Sequence, residues 1–466
     1  MTSEPFDLVV IGAGPAGEKA GAQAAYFGKR VAIVDRRPDP GGSAASKTGV
    51  PTKTLREAAL YLTGFRRRDL YGTGMDLHPD TVLEHMRART AEVVKLSVDA
   101  VRHNIERHGI ELIQGEARLG PDRTVRITTS EGERVLRGEV VMLATGSRPF
   151  HPPGVPFEDP DVHDSESILE LERIPNRFAV IGGGPVGCEY ASIFLALGAE
   201  VTMIDRGPRL LPFADGEVSE ALGRVFEGRG MRLLAETAVT STERTDGTLT
   251  LSLSDGKTLE ADAVLFASGR AGTTEGIGLE EAGVRTDERD RIVVDETYRT
   301  TAEGIYAAGD VIGPPGLASA AMEQGRVAAC HAFGIPFKDT VDPLAPLGVY
   351  SVPEVAMVGM TEEAARESGI DVETGRTPFE MNARARIAGA TEGLVKLVFA
   401  REDRRLLGVH IVGDDAAELI HIGQAVLHAG GTIDYFIHST FNVPTLSEAY
   451  KYAAYDGLQR LSRRAT

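Results

Sequence analysis

"FDLVVIGAGPAGEKAGAQAAYFGKRVAIVDR" occupies residues 6–36. It opens with a short apolar, β-branched run, the pattern of a buried strand. A GxGxxG follows, then an Ala-rich helical stretch, a glycine that ends it, a second apolar run and an acid, Asp35. The same order returns at residues 177–206 as "RFAVIGGGPVGCEYASIFLALGAEVTMIDR". The last glycine of the motif stands equally far from the acid in both copies, Gly17 before Asp35 and Gly187 before Asp205.

A GxGxxG on its own is weak evidence. Between a strand and a helix, with an acid at the end of the next strand, it specifies a dinucleotide-binding unit. The first glycine, Gly12 or Gly182, makes the tight turn. The second, Gly14 or Gly184, lets the backbone approach a pyrophosphate, and the third lets the helix pack on the strand. The phosphates then face the free N–H groups and positive end of the helix. The carboxylate accepts from ribose hydroxyls. Two such units imply two dinucleotides. "LATGSRP" (143–149) and "FASGRAG" (266–272) close the two units, and "TAEGIYAAGD" (301–310) is an apolar strand ending in Gly-Asp.

The rest of the chain sets bounds. Its 466 residues are too many for one core. The net charge of −18 argues against nucleic acid and against anionic lipid as partners. Only Cys188 and Cys330 are present, so no disulfide framework or CxxC metal site is expected, and no metal. The chain enters its first strand almost at once, and no apolar run is long enough to span a bilayer. A cytoplasmic protein without membrane insertion is expected. The arginines at 66–68 and 460–464 read as solvated helix faces. His421, His428 and His438 read as structural rather than as ligands.

These motifs resemble the two-dinucleotide-binding flavoprotein family of dihydrolipoyl dehydrogenase, glutathione reductase and mercuric reductase, over nearly the whole chain. The resemblance implies an α/β fold with two Rossmann-like domains, for FAD and for NAD(P), and a C-terminal α+β dimerisation domain. It divides the chain into an FAD domain in two parts (1–152 and 274–342), an NAD(P) domain (153–273) and a dimerisation domain (343–466). A Pro-rich stretch at 342–346 marks the last boundary. For FAD it implies Gly12, Gly14, Gly17, Asp35, Gly42, Lys53, Thr145, Gly146, Gly309 and Asp310. For the nicotinamide dinucleotide it implies Gly182, Gly184, Gly187, Glu189, Asp205, Arg206 and Gly269. The tail resembles the dimerisation domain in "YSVPEVAMVGMTEEAA" (350–365) and "LLGVHIVGDDAAELIHIGQAV" (406–426), which implies a homodimer.

The chain departs from the family at its redox centre. The disulfide reductases carry C-x4-C-[IV]-P-[ST]-K. Aligning on "VPTK" (50–53) puts Ala44 and Gly49 at the cysteine positions. The family's acid-base histidine, in His-Pro-Thr-x-x-Glu, is replaced by Val443, while Glu448 remains. With no thiolate to protonate, no imidazole is needed. Lys53 and Glu189 survive. In the family they pair beside the flavin N5, where a cation favours negative charge on the reduced ring.

Without thiols, electrons leave the flavin directly, to a second nicotinamide, to a quinone or dye, or to dioxygen. "GSRPFHP" (146–152), "GCEYASIF" (187–194), "ELIHIGQA" (418–425) and "TFNVPT" (440–445) are similar to the soluble transhydrogenase branch of the family. That branch keeps one cysteine of the pair; this chain keeps none. The expected activity is FAD-dependent hydride exchange between NADPH and NAD at one nicotinamide site used alternately. NAD(P)H:quinone reduction and a non-catalytic flavoprotein scaffold or redox sensor are the alternatives. The small Ala44 and Gly49 leave room for a flat acceptor such as a quinone. Asp205 predicts a preference for NAD(H), and the neighbouring Arg206 and Arg209 offer a 2′-phosphate its counter-charge.

Overall fold

A computed structural model describes residues 4–64, 79–245 and 247–464. The Arg66–Arg68 run lies outside the described residues. The chain forms two compact units. The first comprises residues 1–54, 88–150 and 269–342; the second comprises 55–87, 151–268 and 343–466.

The first unit is built on the strand Glu4–Ile11. It pairs in parallel with Val31–Asp35 on one side and with the long strand Gly132–Leu143 on the other. Glu111–Gln114 extends the parallel sheet beyond Val31–Asp35. Leu8–Val10 and Val31–Val34 are almost wholly buried, as a parallel sheet covered on both faces requires. The strand Gly132–Leu143 links the parallel and antiparallel parts of one seven-stranded sheet. Its first half joins an antiparallel flap with Thr124–Thr129 and Glu116–Leu119, and its last residues pair in parallel with Ile305–Ala307. The Ala-rich helix Pro15–Tyr26 packs its small residues on Val31 and Ile33 and against Ala321, Ala328 and Ala329 of the helix Ala318–Ala332.

The second unit repeats the plan. Its parallel sheet has the order Arg232–Leu234, Glu200–Ile204, Arg177–Ile181, Ala263–Phe266, Val162–His163. An antiparallel flap of Val239–Thr245, Thr248–Leu253 and Thr258–Ala261 lies between the last two central strands in sequence. After residue 343 comes a five-stranded antiparallel sheet, in the order Leu347–Val349, Glu354–Gly359, Leu406–Gly413, Leu394–Ala400, Val372–Pro378. The helices Ala416–His428 and Glu448–Arg464 cover it through Leu419, Ile420, Tyr450 and Ala453. One hydrophobic cluster joins the two sheets, running from Phe178, Val180 and Phe226 to Val349, Val355 and Val412. The fold is thus two Rossmann-like nucleotide folds followed by an α+β domain. Among the described residues no helix is long and apolar enough to cross a membrane.

Candidate functional site

The sequence repeat is reproduced bond for bond in the structure. In the first copy Gly12 N–H donates to Val34 O; in the second Gly182 N–H donates to Ile204 O, both at 2.8 Å. Gly12 and Gly182 have φ of +108° and +116°, and a side chain on either would overlap the carbonyl of Ala144 or Ala267. A side chain on Gly17 would overlap the Gly12 carbonyl, and one on Gly187 the Gly182 carbonyl. The first glycines therefore serve the turn and the third serve the helix–strand contact.

The middle glycines differ. A Cβ on Gly184 would meet nothing within 4 Å, and one on Gly14 only the Gly42 Cα at 3.9 Å. Both have ordinary extended dihedrals, with φ of −72° and −77°. Among the described residues no contact accounts for a glycine there. Gly14 and Gly184 are the N-caps of Pro15–Tyr26 and Pro185–Ala196, and neither helix has a side-chain cap. Other helices of the chain have side-chain caps, at Asp215, Thr361 and Asn382. Open space beside a bare glycine, at a helix end whose N–H groups lack a protein acceptor, fits a diphosphate.

The two acids are braced alike. Asp35 accepts from Ala13 N–H at 2.7 Å and Arg37 N–H at 2.9 Å. Asp205 accepts from Gly183 N–H and Gly207 N–H, both at 2.6 Å. Each carboxylate thus ties its strand end to the glycine loop, a role the sequence reading did not include, and keeps further lone pairs for a ribose.

Around the first loop, a Cβ on Gly42 would lie 2.8 Å from Gly14 Cα, and one on Gly309 3.0 Å from Ala16 Cβ. Gly42 and Gly309 thus close on the start of Pro15–Tyr26. Gly309 N–H donates to the buried Gln324 at 2.9 Å. Asp310 accepts from Ser147 Oγ at 2.8 Å, and Arg270 Nε donates to that Oγ at 2.7 Å. Thr145 Oγ1 donates to Thr273 O at 2.6 Å. Gly146, with φ +72°, leads into the two-stranded ladder of Ser147–Pro149 and Arg270–Gly272. Gly269 precedes Arg270 in that ladder, and its carbonyl accepts from Phe150 N–H at 3.0 Å. Ser147, Arg270 and Gln324 escaped the sequence reading; the "GSRP" and "SGRAG" contexts were the available signal for the first two. The chain's residues fit FAD at this loop: backbone donors, bare glycines and two oriented carboxylates.

Lys53 stands half-buried on the helix Val50–Thr63, its Nζ 3.2 Å from Thr52 Oγ1. Glu189 is buried on Pro185–Ala196. Its Oε1 accepts the Tyr350 N–H at 2.9 Å, and Val352 N–H donates to Ser192 Oγ one turn on at 3.0 Å. The helix is therefore laced to the segment entering the final sheet.

At the cysteine positions, Ala44 lies in the short helix Gly42–Ser46 and Gly49 just after it. A Cβ on Gly49 would overlap the Ala44 carbonyl. The Ala44 backbone thus occupies the space a side chain at 49 would need. Cys188 and Cys330 are both buried, and burial pushes both thiols above their ordinary pKa. Val443 is exposed. Among the described residues no group of three or more His, Cys, Asp or Glu could hold a metal ion. His421 Nδ1 lies 2.9 Å from Gln424 Oε1. Of the two arginines beside Asp205, Arg206 is exposed, whereas Arg209 donates to Pro212 O and Ala214 O at 3.2 Å each. Arg209 is committed to its own loop rather than free for a phosphate.

Residues 6–325 match the model of the pyridine nucleotide-disulphide oxidoreductase family, and residues 345–454 that of its dimerisation domain. The chain is 41% identical to a soluble pyridine nucleotide transhydrogenase of Mycobacterium tuberculosis, with 98% of each chain covered. It is 38% identical to another from Marinomonas sp., over 99% of this chain and all of that one. Among solved structures, the HOCl-induced flavoprotein disulfide reductase RclA from Escherichia coli superposes with a TM-score of 0.87 at 27% identity, covering 97% of this chain and 99% of that one.

Proposed function

The chain belongs to the pyridine nucleotide-disulphide oxidoreductase family, and from that premise we propose that it is an FAD-dependent transhydrogenase moving hydride between NADPH and NAD. The observation that carries the reading is the pair of positions Ala44 and Gly49. Neither can be oxidised, and the backbone has closed over the second. The full-length likeness to proteins named soluble pyridine nucleotide transhydrogenases supports the choice of nicotinamide as acceptor.

Bound FAD would supply the hydride-relay chemistry between the two nicotinamide dinucleotides. The protein's part is to bind and orient. Gly14, with Gly42 and Gly309 around it, takes the FAD diphosphate at the N-terminus of Pro15–Tyr26, and Asp35 the adenosine ribose. Asp310, oriented by Ser147, accepts from the ribityl chain. Thr145 and Gly146 border the ring, and Lys53 supplies the positive charge that favours a reduced flavin. Gly182, Gly184 and Gly187 form the corresponding loop for the nicotinamide dinucleotide, which Gly269 borders. Asp205 takes its adenosine ribose, and Arg206, the uncommitted arginine, pairs with a 2′-phosphate. Glu189, fixed by the Tyr350 amide, positions the nicotinamide end. Holding C4 of the nicotinamide against the flavin is the main source of rate. No general acid is required, which accords with Val443 at the histidine position.

The enzyme is proposed to act as a cytoplasmic homodimer. Within the segment that matches the dimerisation model, Met381, Ile387, Tyr435, Val443 and Tyr452 are exposed apolar side chains. Anaerobic stopped-flow absorbance tests the reaction. NADPH is expected to bleach the flavin, and NAD or thio-NAD to restore it within turnover time. Restoration by a quinone alone would assign the chain to NAD(P)H:quinone reduction instead. Flavin that stays oxidised under both reduced nucleotides would leave the scaffold reading.

A further inference from the structure

The segment 205–216 carries Asp205 and Arg206 and is held in an unusual shape. Leu211, fully buried, has φ +45°, a strained conformation for a bulky residue that persists only where its surroundings dictate it. Its N–H donates to the Gly183 carbonyl at 2.8 Å, inside the glycine-rich loop. Near one end, Asp205 is tied to the amides of Gly183 and Gly207. At the other end sits Asp215, which caps the helix Gly216–Gly228 and is completely buried.

What holds Asp215 comes from the final sheet. Lys396, 2% exposed on the strand Leu394–Ala400, places Nζ 2.9 Å from Asp215 Oδ1, 2.7 Å from Glu362 Oε2 and 3.3 Å from Glu217 Oε2. Glu362 N–H donates to the other Asp215 oxygen at 3.2 Å. The neighbouring Glu363 accepts from Gly216 N–H at 2.9 Å and lies 3.6 Å from Arg209, the residue that gathers the carbonyls of Pro212 and Ala214. Arg376 adds a bond to Glu217 at 2.7 Å. A single buried ammonium thus joins three carboxylates, two of them on the helix that ends the loop and one on the helix Glu362–Glu367.

We propose that Lys396 is a positioning residue for the nicotinamide dinucleotide, acting through Asp215 and Glu362 to hold segment 205–216 in the strained shape that presents Asp205 and Arg206. The inference rests on the assignment of the second glycine-rich loop to that dinucleotide. Lys396 touches no part of the ligand. Removing it leaves the buried Asp215 without its cation beside Glu362 and Glu217, which keep Arg366 and Arg376, and Asp215 separates from them or takes up a proton. The loop then relaxes at Leu211, and the adenosine end loses its fixed partners.

ADP-ribose is the probe, because it reports the adenosine end without the redox chemistry. In the FAD-loaded protein, Lys396→Met is expected to raise the Kd for ADP-ribose about tenfold. The limiting rate of flavin bleaching at saturating NADH should stay within about twofold, since chemistry is not touched. Lys396→Arg, which keeps the cation, should recover most of the affinity. The half-exposed Glu363→Ala removes the Gly216 acceptor without opening the buried cluster, and should raise Kd by about threefold. It decides the question if Lys396→Met does not fold. A folded Lys396→Met, or a folded Glu363→Ala where that variant decides, with wild-type affinity would overturn the inference alone. Wild-type protein that fails to bind ADP-ribose would overturn the assignment of the second loop, and this inference with it.

Discussion

Gly184 and Gly187 separate ligand from fold at the residue scale. An alanine at 187 would overlap the Gly182 carbonyl. Gly187→Ala is therefore expected to destabilise by about 1–3 kcal/mol, seen as a lower unfolding midpoint in urea. Gly184→Ala meets open space at an ordinary φ. Its stability should change by less than about 0.5 kcal/mol, while NADH titration shows binding largely lost. If Gly184→Ala bound NADH like the wild type, the open space would not be the diphosphate site. The cysteine positions give a second residue-scale prediction. Restoring both with Ala44→Cys and Gly49→Cys should not restore a disulfide, because the side chain at 49 displaces backbone. Thiol titration of the unfolded double variant should count four free thiols rather than the two of the native chain.

His410 shows what an element can do to a titration. It lies on the fully buried strand Leu406–Gly413, with Nε2 2.9 Å from Met360 O and Nδ1 without a hydrogen-bond partner. Burial holds its pKa below the ordinary value, Lys396 adds to that, and Asp215 and Glu363 oppose it. The unfolded chain takes up this proton as pH falls through about 6.5, whereas the folded chain resists until lower pH. The stabilisation is thus complete above about pH 6.5 and declines below it, by at most about 1.4 kcal/mol per pH unit, until the folded pKa is reached. His163, also buried and shifted the same way, adds to the slope. Urea unfolding of His410→Gln between about pH 7 and pH 5 should show a shallower decline than the wild type; parallel curves would mean that His410 titrates normally.

At the scale of the whole molecule, exchange through one nicotinamide site used alternately predicts ping-pong kinetics. Double-reciprocal plots of NADPH oxidation against thio-NAD should be parallel, and intersecting lines would require both nucleotides bound at once. Lipoamide and glutathione disulfide should not be turned over, since neither buried cysteine has a thiolate to offer. For assembly, Met381→Asp places a charge among the exposed apolar side chains of the C-terminal domain. Sedimentation velocity should show it dissociating at concentrations where the wild type remains a dimer.

The two nucleotide folds and their order were legible in the chain, because periodicity and glycine spacing are local and the same string occurs twice. The third glycine of each GxGxxG answers to a carbonyl five residues back, so there motif and geometry coincide, whereas the first glycines face Ala144 and Ala267 on distant segments. The loss of thiol chemistry was legible for the same reason: a missing sulfur needs no structure to be noticed. Tertiary structure decided the rest. Whether a side chain fits at the second cysteine position depends on where the backbone goes, and at Gly49 it would meet the Ala44 carbonyl. Of two arginines equally plausible beside Asp205, one is committed to loop carbonyls. Asp215 and Lys396 stand far apart in the chain, and nothing local to either announces the other. An ammonium with its carboxylates can remain buried only when distant strands and helices deliver the charges to one point, and that delivery is a property of the fold.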